Sequence, residues 1–352
     1  MVIDLGGGSL ELSDTTMTHF TSLPLGFLSL ETMAQNDPRK AHEILHDALV
    51  QVPWLDDLPG RSLIAIGAGM RSIARLHMAA THYPLSVMHD YRLPKAEGLD
   101  FAHKLLAGPV KGKLHDMSRS YSDVLPYRAA ALCTLLNLPQ IDEVRFATFG
   151  LREGVLFSQV GPCPVLADPL LAFAADHAER NGRGVIYAKA LAGWVMPLLP
   201  ALDERFVRAA AMFTEIGWRE QPVYRALSLF NRVLGGSYVG ADHNLRARLA
   251  LAAFFRHEDQ LLPGMRAQIK TIVSPTEMAA CQALGALFNL AALLDPGALG
   301  HLERFRLEHD SRGRYILQMP RAFKVMQSEE VTKRLQIVRR RLHRYEHLNK
   351  KV

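Results

Sequence analysis

Residues 1–12 read MVIDLGGGSLEL. An apolar run alternating with Asp4 meets three consecutive glycines and resumes as Ser9 to Leu12. Alternation marks half-buried strands, so the stretch predicts two strands joined by a glycine turn. Glycines open positive φ to the backbone and remove side chains that would block a ligand. The amides of Gly6, Gly7 and Gly8 can then converge on an anion, and Ser9 adds a hydroxyl donor. Asp4 ends the first strand, where a carboxylate can hold Mg²⁺ or orient water against phosphoryl oxygens. Alternation sends Ser9 and Glu11 to one face and Leu10 to the other, so a second carboxylate looks toward the anion. A plain hairpin turn needs fewer glycines and no flanking acids, and the flanks here favour phosphate.

A second glycine turn lies in IAIGAGMRSIARL, where a strand runs through Gly67 and Gly69 into a helix. A helix start offers unpaired amides to an anion, and Arg71 adds a bidentate donor. Working outward, THFTSLPLG and RSLIAIGAG read as strands, with an amphipathic helix over Ala41 to Val50 between them. The segments LDFAHKLLAG and SDVLPYRAAALCTLLNLP read as helices, and DEVRFATFG as a strand delivered into a helix at LREGVLF. Strands alternating with helices predict an α/β layer over residues 1–160. From Asp168 to about residue 300 the texture becomes Ala/Leu-rich and helical, with the Pro-rich GPCPVLADP as the boundary. Residues 301–352 hold a hairpin candidate, RFRLEHDSRGRYILQMP, and a basic helix.

At 49% hydrophobic and 22% charged residues, the 352-residue chain is of ordinary globular composition, which excludes disordered and collagen-like classes. Cys133, Cys163 and Cys281 show no CxxC spacing, so thiolate zinc frameworks are excluded and a reducing, cytoplasmic compartment is expected. Neither export nor membrane insertion is expected. The formal net charge of +6 is concentrated beyond Ser328, where eight Lys or Arg face three Glu. Two readings stay open there: a polyanion-binding arm, or a solvated helix packing Leu335, Val338, Leu342 and Tyr345. No specific nucleic acid is implied.

In chain order, VIDLGGGSLEL, SLPLGFLSLE, IGAGMRSIARLHM, THYPLSVMHDYRLP and FGLREGVLF resemble landmarks of the exopolyphosphatase and guanosine pentaphosphate phosphohydrolase (Ppx/GppA) family. The likeness continues through FTEIGWREQPVYRA and GADHNLRARLALAAFFRH. It implies α/β plus all-α architecture: a ribonuclease-H-like subdomain of the actin, heat-shock 70 and sugar kinase superfamily, followed by a helical HD-like domain. By the same resemblance, Asp4 and Glu11 serve metal and water, Gly6, Gly7, Gly8 and Ser9 hold phosphate, and Gly67 to Arg71 form a later phosphate turn. At Gly69 a hydroxyl usual in the family is missing. Arg152, Glu153 and Gly154 match its LREG segment, in which packing and catalysis are equally open.

The implied activity is hydrolysis of a terminal phosphoanhydride of inorganic polyphosphate or guanosine pentaphosphate with Mg²⁺. The family's first phosphate motif and its general-base glutamate fall before the position of Met1, so a fragment with impaired activity is expected. A noncatalytic polyphosphate- or nucleotide-binding module and a misassigned start are the alternatives. A missing partner lobe would expose an apolar patch near the first strands and favour a homodimer. In the helical domain, the metal-binding His-Asp pair of HD enzymes is replaced by Thr214-Glu215, and His243 has no evident partner cluster. A second metal centre is therefore not expected.

Overall fold

Strands β1 (Val2–Leu5) and β2 (Leu10–Ser13) form the antiparallel hairpin that the opening residues predict, with Asp4 opposite Glu11 and Leu5 opposite Leu10. The structure is a computed structural model that describes residues 1–16, 18–57, 62–108, 123–159, 168–217, 219–296 and 300–350. Ile3, Leu5, Leu10 and Leu12 are buried, whereas Asp4 and Glu11 are half-buried on the opposite face. Further strands are β3 (Phe20–Leu23), β4 (Ser62–Ile66), β5 (Tyr91–Pro94) and β6 (Glu143–Phe146). Their order is β3-β2-β1-β4-β6-β5, with β1, β4 and β6 parallel and the rest antiparallel. This mixed sheet with helices packed against it is the ribonuclease-H-like α/β fold.

The helices of this part are α1 (Phe27–Met33), α2 (Pro38–Val50), α3 (Gly67–Ala80), α4 (Lys95–Leu106), α5 (Leu125–Leu136) and α6 (Leu151–Ser158). Asp37 caps α2 by accepting from the Arg39 amide, and Pro38 takes the first helical position, where a missing N–H costs nothing. That cap starts the helix three residues before the predicted Ala41. Two elements escape the sequence pattern. Helix α1 has seven residues, too few to show a period. Strand β5 is four residues long and ends on Pro94, which a sheet edge tolerates.

The chain divides into two compact units, Met1–Cys163 and Pro164–Val352. Residues 161–167 of the predicted boundary, with Cys163, lie outside the described residues. Cys133 and Cys281 are free and buried.

The second unit holds α7 (Pro169–Asn181), α8 (Gly184–Val195), α9 (Glu204–Thr214), α10 (Pro222–Gly235), α11 (His243–Phe255), α12 (Met265–Ile269) and α13 (Pro275–Leu294). The predicted hairpin follows as β7 (Arg306–His309) and β8 (Tyr315–Gln318), and α14 (Glu329–Asn349) closes the unit. Helix α13 is long and apolar enough to cross a membrane by length and composition, and most of its residues are buried as the core helix of this unit.

Of the two readings of the tail, the structure bears out the helix that packs one face and not a free arm. Helix α14 buries Val331, Val338, Leu342 and Tyr345 in the core of the second unit, so residues 301–352 are part of that unit. Arg341 is buried on Asp259 (2.5 Å) and Gln282 (3.1 Å), and Arg340 also reaches Asp259 (2.8 Å). Arg339 donates to the Tyr315 carbonyl (2.5 Å), and Arg334 pairs with Glu330 (2.8 Å). Arg341 and Arg339 are held by these bonds, whereas Arg340, with 62% of its side chain exposed, stays at the surface with Lys333, Arg344 and Lys350.

Candidate functional site

The turn between β1 and β2 is closed by the Gly6 amide donating to the Ser9 carbonyl (3.0 Å). Its other carbonyls point to α1. Phe27 donates to Gly6 O (3.0 Å), Leu28 and Ser29 donate to Gly7 O (2.9 and 3.3 Å), and Ser29 Oγ donates to Gly8 O (2.9 Å). Amides at a helix start need acceptors, and the turn supplies them. With its carbonyls so committed, the turn leaves the amides of Gly7, Gly8 and Ser9 with no acceptor among the described residues. Around Gly8 a side chain would meet nothing within 4 Å, so the space beside Gly8 is open, whereas Gly7 faces Leu28 and Phe27, and Gly26 covers the Ser9 nitrogen.

The expected positive φ does not occur at Gly6, Gly7 or Gly8. These glycines serve close approach instead. A Cβ on Gly7 would press on Leu28 Cδ1 at 3.2 Å, and one on Gly26 would overlap the backbone of Gly7 and Ser9. Gly26 and Ser29 went unassigned in the sequence. The quoted SLPLGFLSLE carries them, but its helix is too short to read.

Asp4 and Glu11 are cross-strand partners on the half-buried face. Burial, and then the Glu11 carboxylate, push the Asp4 pKa above its ordinary value, with Arg71 pulling it back. A divalent cation relieves such a pair. Mg²⁺ commonly takes one or two protein carboxylates and completes its shell with water and phosphate oxygens, so this donor set suits it. Among the described residues no group of three or more His, Cys, Asp or Glu forms an all-protein cage.

The second glycine turn meets the first at this sheet end. In the parallel β1–β4 pair, Asp4 lies beside Ile66, and Gly67 follows with φ +89° as the first residue of α3. A Cβ there would overlap Asp4 Oδ1, so glycine is required both by backbone and by the carboxylate. Gly69 is buried. Its α-carbon fits against Leu5 O and Arg128 Nε, where a Cβ would stand 3.3 and 3.4 Å away, and this packing accounts for glycine at that position.

Arg71, one turn into α3, acts electrostatically on both Asp4 and Glu153. Glu153 accepts from the Gly150 amide at 2.7 Å, which holds its pKa below the ordinary value. Helix α6 buries none of its residues, and Leu151, Leu156 and Phe157 are exposed, so the LREG segment does not pack into the core of its unit.

The raised Asp4 pKa fixes a pH dependence. The native state binds the Asp4 proton more tightly than the unfolded chain, so stability falls as pH rises from the ordinary carboxylate value through the raised one. Above that window the penalty is constant. Asp4→Asn is therefore expected to melt at a higher temperature than wild type at pH 7 without metal, and to lose the increase that Mg²⁺ gives wild type. Thermal melts from pH 4 to 8, with and without Mg²⁺, check this; a variant that melts lower without metal and keeps the Mg²⁺ increment would contradict it.

In the second unit, Glu215 is fully buried, and its carboxylate pairs with Arg256 and with Arg183 (3.1 Å). Two guanidinium groups thus occupy the oxygens of the acid at the HD-like position. His243 is buried as the first residue of α11, beside its capping residue Asp242.

The model of the Ppx/GppA phosphatase family matches residues 1–162, and that of the exopolyphosphatase C-terminal domain matches residues 171–345. The chain belongs to the Ppx/GppA phosphatase family. Among solved structures it is similar to an Aquifex aeolicus Ppx/GppA phosphatase at 20% identity and a TM-score of 0.37, covering 46% of this chain and 56% of that one. It is also similar to a Cytophaga hutchinsonii exopolyphosphatase at 18% identity and a TM-score of 0.40, covering 45% of this chain and 55% of that one. This Ppx/GppA chain thus aligns with little more than half the length of these relatives. No curated protein matches it.

Proposed function

We propose that this Ppx/GppA phosphatase family member binds a terminal phosphoryl group of inorganic polyphosphate or guanosine pentaphosphate at the Gly6–Ser9 turn, with Mg²⁺ on Asp4 and Glu11. The observation that carries this reading is the division of the turn. Its Gly6, Gly7 and Gly8 carbonyls are bound by α1, the amides of Gly7, Gly8 and Ser9 have no acceptor among the described residues, and the space around Gly8 is open, next to the strands that carry Asp4 and Glu11. Preorganised amides stabilise phosphoryl charge without reorganising, and the Ser9 hydroxyl adds a donor. Mg²⁺, when bound, neutralises phosphoryl oxygens and lowers the pKa of a coordinated water. Asp4 and Glu11 would be its protein ligands. Arg71 contributes a cation that partly offsets the rise in the Asp4 pKa caused by burial and Glu11.

In the hydrolytic form of the reaction, water attacks the terminal phosphorus, and orthophosphate leaves from the shortened chain. A noncatalytic binding module is the second reading. One observation favours it: Glu153, the carboxylate that shares Arg71 with Asp4, is committed to the Gly150 amide and not free to act as a base. Either reading expects Mg²⁺-dependent binding of tripolyphosphate. Orthophosphate release separates the two: turnover of about 1 s⁻¹ or above, the low end of ordinary enzymes, supports the hydrolase, and none supports the binding module. The exposed Phe20, Leu28 and Met33 near this turn suit contact with a second copy of the chain.

Calorimetric titration with tripolyphosphate, alongside orthophosphate release from long-chain polyphosphate, tests the proposal. Gly8→Val is the diagnostic variant: its side chain meets no protein atom at Cβ, so the fold should persist while the space beside the amides is filled. Unchanged affinity in a folded Gly8→Val chain would overturn the assignment of the turn.

A further inference from the structure

We propose that Arg128 is a positioning residue that ties the two glycine turns to one another. The inference rests on the phosphate reading of those turns. Arg128 is the one charged residue of α5, LPYRAAALCTLL, and only 4% of it is exposed. Its two surfaces serve different turns. The planar face stacks on Phe27, with Cζ 4.2 Å from the ring centroid. Phe27 is also the residue whose amide holds the Gly6 carbonyl, and its ring tip stands 3.9 Å from where a Cβ on Gly7 would be.

The edge of the guanidinium serves the second turn. Arg128 Nη1 donates to Ser72 Oγ (3.3 Å), and Ser72 Oγ donates in turn to the Gly69 carbonyl (2.5 Å). Arg128 Nε sits 3.4 Å from where a Cβ on Gly69 would be, so the guanidinium packs directly against the second turn at Gly69. A guanidinium is suited to this because its face stacks and its edge donates in a fixed fork, whereas an ammonium does neither with such geometry. Its charge, buried behind both turns, also favours an anion held in front of them, because field lines through a low-dielectric interior are weakly screened.

Hydrogen exchange on the full chain, together with calorimetric titration of tripolyphosphate, tests the link. In ligand-free Arg128→Met, the amides of Phe27 and Leu28, bonded to Gly6 O and Gly7 O, and those of the first bonded turn of α3 should all exchange about tenfold faster, with the second unit unchanged. Affinity for tripolyphosphate should fall about tenfold. Arg128→Lys keeps the charge without the stack or the fork. It should loosen both segments like Arg128→Met yet retain more affinity, a split that a purely structural role would not produce. Acceleration confined to one turn, or absent from both, in a cooperatively melting variant overturns the proposal. Should Arg128→Met fail to melt cooperatively, Arg128→Lys decides by the same exchange criterion. If wild type does not bind tripolyphosphate, the phosphate reading fails, and the exchange data still decide whether Arg128 couples the turns.

Discussion

Gly26→Ala is expected to destabilise the first unit by about 3 kcal/mol, at the upper end of ordinary overpacking, and to abolish tripolyphosphate binding. The residue has an ordinary extended conformation, with φ −69° and ψ 167°, so the backbone itself tolerates alanine. What forbids it is contact: the new methyl would overlap Gly7 C, Gly7 O and Ser9 N, which are main-chain atoms with no rotamer by which to escape. Relief requires α1 to withdraw from the turn. That withdrawal breaks the bonds from Phe27, Leu28 and Ser29 and frees the Gly6 and Gly7 carbonyls to turn toward the ligand. Gly8→Ala is the matched control, since its Cβ meets nothing within 4 Å, and it should melt like wild type. Equal melting temperatures for Gly26→Ala and wild type would mean that α1 does not shape the turn.

Glu215→Ala is expected to cost more, about 3–5 kcal/mol, because it leaves Arg256 and Arg183 without the buried carboxylate that compensates them. Glu215 is fully buried and the Arg256 side chain is 6% exposed, so water cannot replace the lost partner. The paired change Glu215→Leu with Arg256→Met removes charge from both sides and should recover part of the loss, as buried ion pairs often allow. Chemical denaturation of the three proteins measures this directly. A cost below about 1 kcal/mol for Glu215→Ala, typical of exposed pairs, would show the ionic cluster to be solvated.

The parts of this molecule legible in the sequence are those whose physics is local. Alternation around Asp4 and Glu11 fixes which side chains share a face, and both fall on the half-buried side of the β1–β2 hairpin. The Ala/Leu-rich texture that begins at Asp168 marks the all-helical unit, whose first helix Asp168 itself caps by accepting from the Leu170 and Leu171 amides. What stayed hidden depends on contacts between distant segments. The turn glycines suggested positive φ, but their use is the approach of α1, which no neighbouring residue encodes. Arg128 reads as an interruption of an apolar helix until Ser72 and Phe27 are seen beside it. The basic tail left a polyanion arm open beside a packed helix because Asp259, which binds Arg340 and Arg341, lies some eighty residues earlier in the chain.

The central claim is that phosphate is held by the amides of the opening turn. Amide chemical shifts of the ¹⁵N-labelled chain, followed during titration with tripolyphosphate and Mg²⁺, test it most directly. Gly7, Gly8 and Ser9 should show the largest shifts, saturating together, and Gly8→Val should abolish them. If those three resonances stay in place while the amides around the exposed Lys333, Arg344 and Lys350 move, the anion binds the tail, and the turn is only a hairpin.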